Sequence, residues 1–152
     1  MKSVLFVCMA NICRSPVLEA TLRHLATQQG KADHLYVDSC GIGWFHLGEH
    51  PDPRAFEAAK KRGILVDHRA QQFQEHFFDL FDHILTVDPI ISEQLKLQAK
   101  NSNQIQKIGL ATDFSSKFRG SPIPDPYYMS PNGFEEMMDM IIDCCEGLLK
   151  KL

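Results

Sequence analysis

The chain has 152 residues, of which 44% are apolar and 23% charged, a composition that excludes intrinsic disorder and suits one compact domain over residues 1–152. Its formal net charge of −3 excludes a broad basic face for nucleic acid or anionic lipid, so any attraction for phosphate must be local. The apolar run at residues 4–10 is too short for a membrane span, and Cys8, Cys13, Cys40, Cys144 and Cys145 form no secreted disulfide framework. Both features predict a cytoplasmic protein with reduced thiols.

Val4-Leu5-Phe6-Val7 is a continuous apolar and β-branched run, the pattern of a strand buried on both faces, and it ends at Cys8. Six residues later Ser15-Pro16 reads as an N-cap with proline at the first helical position. Leu18, Leu22 and Leu25 then share one face until Gly30. Leu35-Tyr36-Val37 reads as a second strand, and Asp52-Pro53 opens a helix through Ala55, Phe56 and Ala59 that stops near Gly63. Residues 83–87 predict a third strand, Asp88-Pro89 caps another helix, and residues 105–110 predict a fourth strand. Asn132 and Glu135 resemble a capping box that starts the last helix, whose stripe is Phe134, Met138, Ile141, Cys145 and Leu148. This alternation predicts a three-layer α/β sandwich around a parallel sheet, with a ligand site beyond the carboxyl ends of the strands, where Cys8 lies.

The segment Cys8-Met9-Ala10-Asn11-Ile12-Cys13-Arg14-Ser15 joins a buried strand to a helix N-terminus, so successive backbone N–H groups can curl around one anion. The helix dipole and the Arg14 guanidinium both favour negative charge there, including a thiolate on Cys8. A cysteine and an arginine separated by five residues is a weak signal alone; the strand–loop–helix context sharpens it.

Val7-Cys8-x-x-Asn11-Ile12-Cys13-Arg14-Ser15-Pro16, followed over one hundred residues later by Asp125-Pro126-Tyr127-Tyr128, resembles the low-molecular-weight protein tyrosine phosphatase family over essentially the whole chain. The resemblance implies a four-stranded parallel sheet flanked by helices. It also implies hydrolysis of phosphotyrosine, in a tyrosine-phosphorylated protein, through a phosphocysteine on Cys8. Arg14 would bind the phosphate, as its planar fork suits, and Asp125 would serve as general acid and then base. By the same resemblance Met9, Ala10, Asn11, Ile12, Cys13 and Ser15 surround the substrate, and Tyr127 walls the cleft. Either Trp44 or Phe45 registers with a second aromatic wall. Ser39 and His68, with Asn11, would support the loop from behind, and Ser15 would stabilise the thiolate.

Taken singly, Ser15 is an N-cap, His68 a surface histidine and Asp125 a turn residue. Cys13 resembles the family's second loop cysteine, which can pair with the nucleophile in a protective disulfide; otherwise it is a small apolar filler. Cys144 and Cys145 read as packing residues. Where the family has glycine this chain has Ala10, which would narrow the loop or alter its donor angles.

No metal or other cofactor is expected, because the histidines and cysteines lack zinc-ligand spacing. The resemblance is compatible with a monomer or weak self-association. Two alternatives stand beside it. One is arsenate reduction on the same fold, which would need a further cysteine pair although none lies between Cys40 and Cys144; the other is a phosphate-binding module without turnover.

Overall fold

The computed structural model describes residues 1–126 and 131–152. In chain order the elements are β1 (Lys2–Cys8), α1 (Arg14–Gln28), β2 (Leu35–Gly41), α2 (Pro53–Lys60), α3 (Phe77–Leu80), β3 (His83–Thr86), α4 (Pro89–Gln98), α5 (Ser102–Gln106), β4 (Ile108–Leu110) and α6 (Pro131–Lys151). The four strands form one parallel sheet in the order β2-β1-β3-β4, flanked by helices as the alternation predicts. Among the described residues no helix is long and apolar enough to cross a membrane.

Val4, Leu5, Phe6 and Val7 are at most 1% exposed, which explains why β1 is apolar without alternation: both of its faces are covered. On α6 the whole expected stripe is buried, from Phe134 through Met138, Ile141 and Cys145 to Leu148, and α6 packs along α1. Each of the phenylalanine, methionine, isoleucine and leucine side chains among them contributes about 1.5–3 kcal/mol on leaving water. Arg62, just beyond α2, reaches across to Glu135 and Asp139 of α6.

The chain runs from β1 outward to β2 and then crosses back to β3 on the other side of β1. The crevice between the carboxyl ends of β1 and β3 is therefore a topological switch point, where α/β sheets bind ligands.

Three local expectations are corrected. Ser15 is not an N-cap, since α1 begins at Arg14 after Cys13; Pro16 still falls in the first turn, where its missing N–H has no helical acceptor to lose. The fourth strand covers only 108–110, because Asn101 caps α5 through the Gln104 N–H at 2.9 Å and draws Ile105 into a helix. Asn132 lies inside α6 rather than at its cap, and Glu135 pairs with Arg62 instead of closing a capping box. By contrast Asp52 and Asp88 cap α2 and α4 as expected, each accepting a backbone N–H at 2.8 Å.

Candidate active site

The loop after β1 is held from outside by its carbonyls. Cys8 O accepts from Ile42 N–H at 3.0 Å, Met9 O from Gly43 N–H at 2.8 Å and Ile12 O from Asp52 N–H at 2.8 Å. In a trans peptide the N–H opposes the C=O, so pinning the carbonyls outward turns the partner N–H groups inward, as an anion-binding nest requires. The approach is close: a Cβ on Gly41 would sit 2.7 Å from Met9 O, so only glycine fits at that point of β2.

Asn11 takes a φ of 60°, a left-handed conformation that asparagine tolerates, and it is the only described residue other than glycine to do so. Its side chain is used completely. The amide Nδ2 donates to Ser15 Oγ at 2.8 Å and to Ser39 Oγ at 3.0 Å, while Oδ1 accepts from Gln71 N–H at 2.9 Å and from His68 Nε2 at 2.7 Å. Since Nδ2 is the donor end, His68 Nε2 must carry a proton. Ala10 stays outside the left-handed range, so the residue that replaces the family's glycine carries no backbone strain; its neighbour makes the turn.

One donor and one hydroxyl converge on the Cys8 sulfur. Asn11 N–H points at Sγ from 3.2 Å, and Ser15 Oγ lies 2.9 Å away. Ser15 Oγ already accepts from Asn11, and its own proton has Cys8 Sγ closer than the alternative, Cys40 O at 3.3 Å. Cys8 is 3% exposed and lines a cavity of about 370 Å³ together with Met9, Ala10, Ile12, Cys13, Arg14, Phe45, His46 and Asp125.

Arg14 is buried and fixed by one nitrogen: Nη1 donates to Ile123 O at 2.9 Å and to Asp88 Oδ2 at 3.2 Å. Nη2 lies 3.7 Å from Asp125 Oδ2. Ile123 N–H is itself bonded to Val87 O at 2.8 Å, which ties the Asp125 segment to the end of β3 and brings it to the loop of β1.

Behind the loop, Ser39 Oγ donates to Glu19 Oε1 at 2.8 Å, and His68 Nδ1 lies 3.2 Å from the same oxygen. Burial by itself would raise the Glu19 pKa. The hydrogen bond and charge of His68, with Ser39 and Arg23, outweigh it and hold this carboxyl below the usual range. Glu19, Asp38 and His68 bring ligand atoms within 4.8 Å of one another, the one such cluster among the described residues; it is already filled by these mutual bonds and the loop.

The expected site residues thus gather as follows. Cys8, Met9, Ala10, Ile12, Cys13, Arg14 and Asp125 share the cavity, while Asn11, Ser15, Ser39 and His68 form the support network. Of the two aromatics Phe45 lines the cavity, and Trp44 stacks on it from outside at 5.0 Å between ring centroids. Tyr127 lies outside the described residues. Cys8 and Cys13 are both free thiols, and burial, reinforced by the charges of Asp52 and Asp125, pushes the Cys13 thiol up.

Sequence reasoning missed Asp88 as a partner of Arg14, Glu19 beneath the loop and His46 at the rim. Glu19 had a signal, standing four residues after Ser15 on the same helix face. Asp88 was legible only as a cap, and one of its oxygens does cap while the other takes the arginine.

The model of the low molecular weight phosphotyrosine protein phosphatase family matches residues 3–152. A low molecular weight phosphotyrosine protein phosphatase of Sus scrofa is 36% identical over 155 residues, covering 99% of this chain and 96% of the relative. A crystal structure of an Entamoeba histolytica protein tyrosine phosphatase, with Hepes in its active site, superimposes with a TM-score of 0.95 at 32% identity, covering 99% and 96% of the two chains. A Drosophila arginine phosphatase structure is similar at a TM-score of 0.90 and 31% identity, covering 99% and 97%. With sequence and fold agreeing over nearly its whole length, the chain belongs to the low molecular weight phosphotyrosine protein phosphatase family and is a phosphatase of that superfamily.

Proposed function

We propose that the chain hydrolyses phosphotyrosine monoesters through a phosphocysteine on Cys8. The observation that carries this reading is the convergence of the Asn11 N–H and the Ser15 hydroxyl on a sulfur at the floor of a cavity that also holds Arg14 and Asp125. A thiolate is the attacking form of cysteine; it would accept from the Asn11 N–H, and with the sulfur ionised the Ser15 hydroxyl is the partner that has a proton to give.

In the first step the Cys8 sulfur attacks phosphorus in line, forming the S–P bond as the bond to the phenolic oxygen breaks. Asp125 gives its proton to that oxygen. Arg14, oriented through Nη1, and the loop N–H groups hold the equatorial phosphate oxygens, where negative charge spreads in the transition state. In the second step Asp125, now a carboxylate, takes a proton from water. The water oxygen attacks phosphorus, the S–P bond breaks, and inorganic phosphate leaves with the enzyme restored.

Phe45, Ile12 and Met9 give the cavity an apolar lining that suits a phenyl ring. The likeness to an arginine phosphatase supports a second reading, phosphoarginine at the same loop. Rapid acid quench during turnover should leave phosphate on the peptide that contains Cys8. kcat/KM on matched tyrosine, serine and arginine phosphopeptides should favour tyrosine. Absence of a phosphocysteine would remove the nucleophile, and preference for phosphoarginine would replace the substrate while keeping the chemistry.

A further inference from the structure

Trp44, Phe45 and Leu47 are large apolar residues at 63%, 67% and 52% exposure on one short turn beside the cavity. Their backbone is tied down. Gly43 N–H bonds to Met9 O at 2.8 Å, Leu47 N–H closes back on Trp44 O at 3.4 Å, Glu49 N–H bonds to His46 O at 2.9 Å and Gly48 N–H to Ala70 O at 2.8 Å. A Cβ on Gly43 would lie 3.2 Å from two carbons of the Phe45 ring, so the ring folds close over that glycine. Fixed backbone and exposed rings together describe a preformed apolar surface registered directly to the anion loop.

The two rings have different places on it. Phe45 lines the cavity and Trp44 does not; Trp44 stacks on Phe45, at an interplanar angle of 26°, and carries the apolar surface outward from the cleft. An extended polypeptide advances about 3.3–3.6 Å per residue, so the 5.0 Å between ring centroids matches the step from a bound phosphotyrosine to a side chain one or two positions along. We infer that Trp44 is a specificity residue, forming a shelf for an apolar side chain that flanks the phosphotyrosine of a protein substrate. This rests on the substrate class proposed above. Continuity with the cleft selects the occupant, because a phosphorylated side chain seated on the loop must carry its neighbours across this rim.

The test uses two phosphotyrosine peptides, with leucine or with serine at the flanking positions, and a small aryl phosphate that ends at the phenyl ring. The wild type should prefer the leucine peptide by about tenfold, the discrimination an apolar pocket supplies. Trp44→Ala should erase that preference, Trp44→Phe should restore much of it, and both should leave the small aryl phosphate within about twofold of the wild type.

Trp44 is the single tryptophan of the chain, so its emission gives an independent readout. A non-hydrolysable phosphonate version of the leucine peptide should shift it to shorter wavelength, and the serine version should shift it less. Equal losses on all substrates in Trp44→Ala, or emission unmoved by the bound leucine peptide, would overturn the shelf. An emission shift that rises with protein concentration alone, with dimers in sedimentation that Trp44→Ala abolishes, would instead make the patch a contact between copies. Failure to hydrolyse the small aryl phosphate would count against the phosphatase chemistry proposed above, whereas the emission readout tests the shelf without turnover.

Discussion

Two regions of the molecule bury cysteine to the same degree and make opposite use of it. Cys8 ends β1 at 3% exposure; Cys144 and Cys145 lie within α6 at 2% and 0%. On α6 the surroundings are apolar. Burial, then the neighbouring Asp143, pushes the Cys144 thiol up to about 12, and Cys145, pushed up by burial as well, donates to Leu18 O at 3.6 Å. In the loop, a backbone N–H aims at the sulfur, a hydroxyl oxygen lies 2.9 Å from it and an open cavity faces it. Burial alone does not distinguish a packing thiol from a reactive one; the direction of the surrounding hydrogen bonds does.

The largest effect should come from exchanging sulfur for oxygen at Cys8. Cys8→Ser should lower kcat on an aryl phosphate by about 10⁴-fold or more while circular dichroism stays unchanged. Full activity in that variant would erase the distinction between the two regions. Asp125→Ala should reduce turnover of phenyl phosphate by about 10²–10³-fold and turnover of an ester with an excellent leaving group far less, since only the former needs the proton. Equal losses on both esters would reassign the residue to phosphate binding.

Glu19→Gln sharpens the contrast from beneath the loop by weakening the hold on His68 and Ser39, at a cost of about 1.5–3 kcal/mol at neutral pH, the range for hydrogen bonds to a charged group. The Glu19 pKa is lowered by folding, so its contribution is complete above the unfolded value near about 4.3 and disappears as pH falls through the lower folded value. Urea melts of wild type and variant should therefore differ most at pH 7 and converge in acid. A difference that grows on acidification would contradict the role of the ionised Glu19 carboxylate. The smallest effect belongs to Cys145→Ala, which should retain activity and lose about 1 kcal/mol of stability. Loss of turnover in a stably folded Cys145→Ala protein would make α6 part of the site.

The parallel sheet was legible because Val4-Leu5-Phe6-Val7, the centre of β1, is apolar without alternation, which only a strand covered on both faces can afford, and α6 because its apolar spacing of four and three matches the helical turn. The end of α5 was misread because Ile105, at 42% exposure, belongs to a one-turn helix set by the Asn101 cap, too short for periodicity to reveal. For Ser15 the local N-cap reading fails, whereas the resemblance set its hydroxyl beside the sulfur. Its hydroxyl is drawn from the helix end to the sulfur by partners on β1 and the loop itself.

By itself the sequence determined the alternation of strands and helices, the Cys8–Arg14 loop at a strand end and the family resemblance, since these rest on residues near one another in the chain or on ordered motifs. Only the tertiary structure decided that Phe45 rather than Trp44 lines the cavity, that Asp88 and Ile123 fix Arg14, and that Glu19 stands under His68. Each of those depends on where distant backbone segments cross. Local propensity fixes which elements form, whereas the direction in which a side chain or a hydrogen-bond donor finally points is set by packing between elements far apart in the chain.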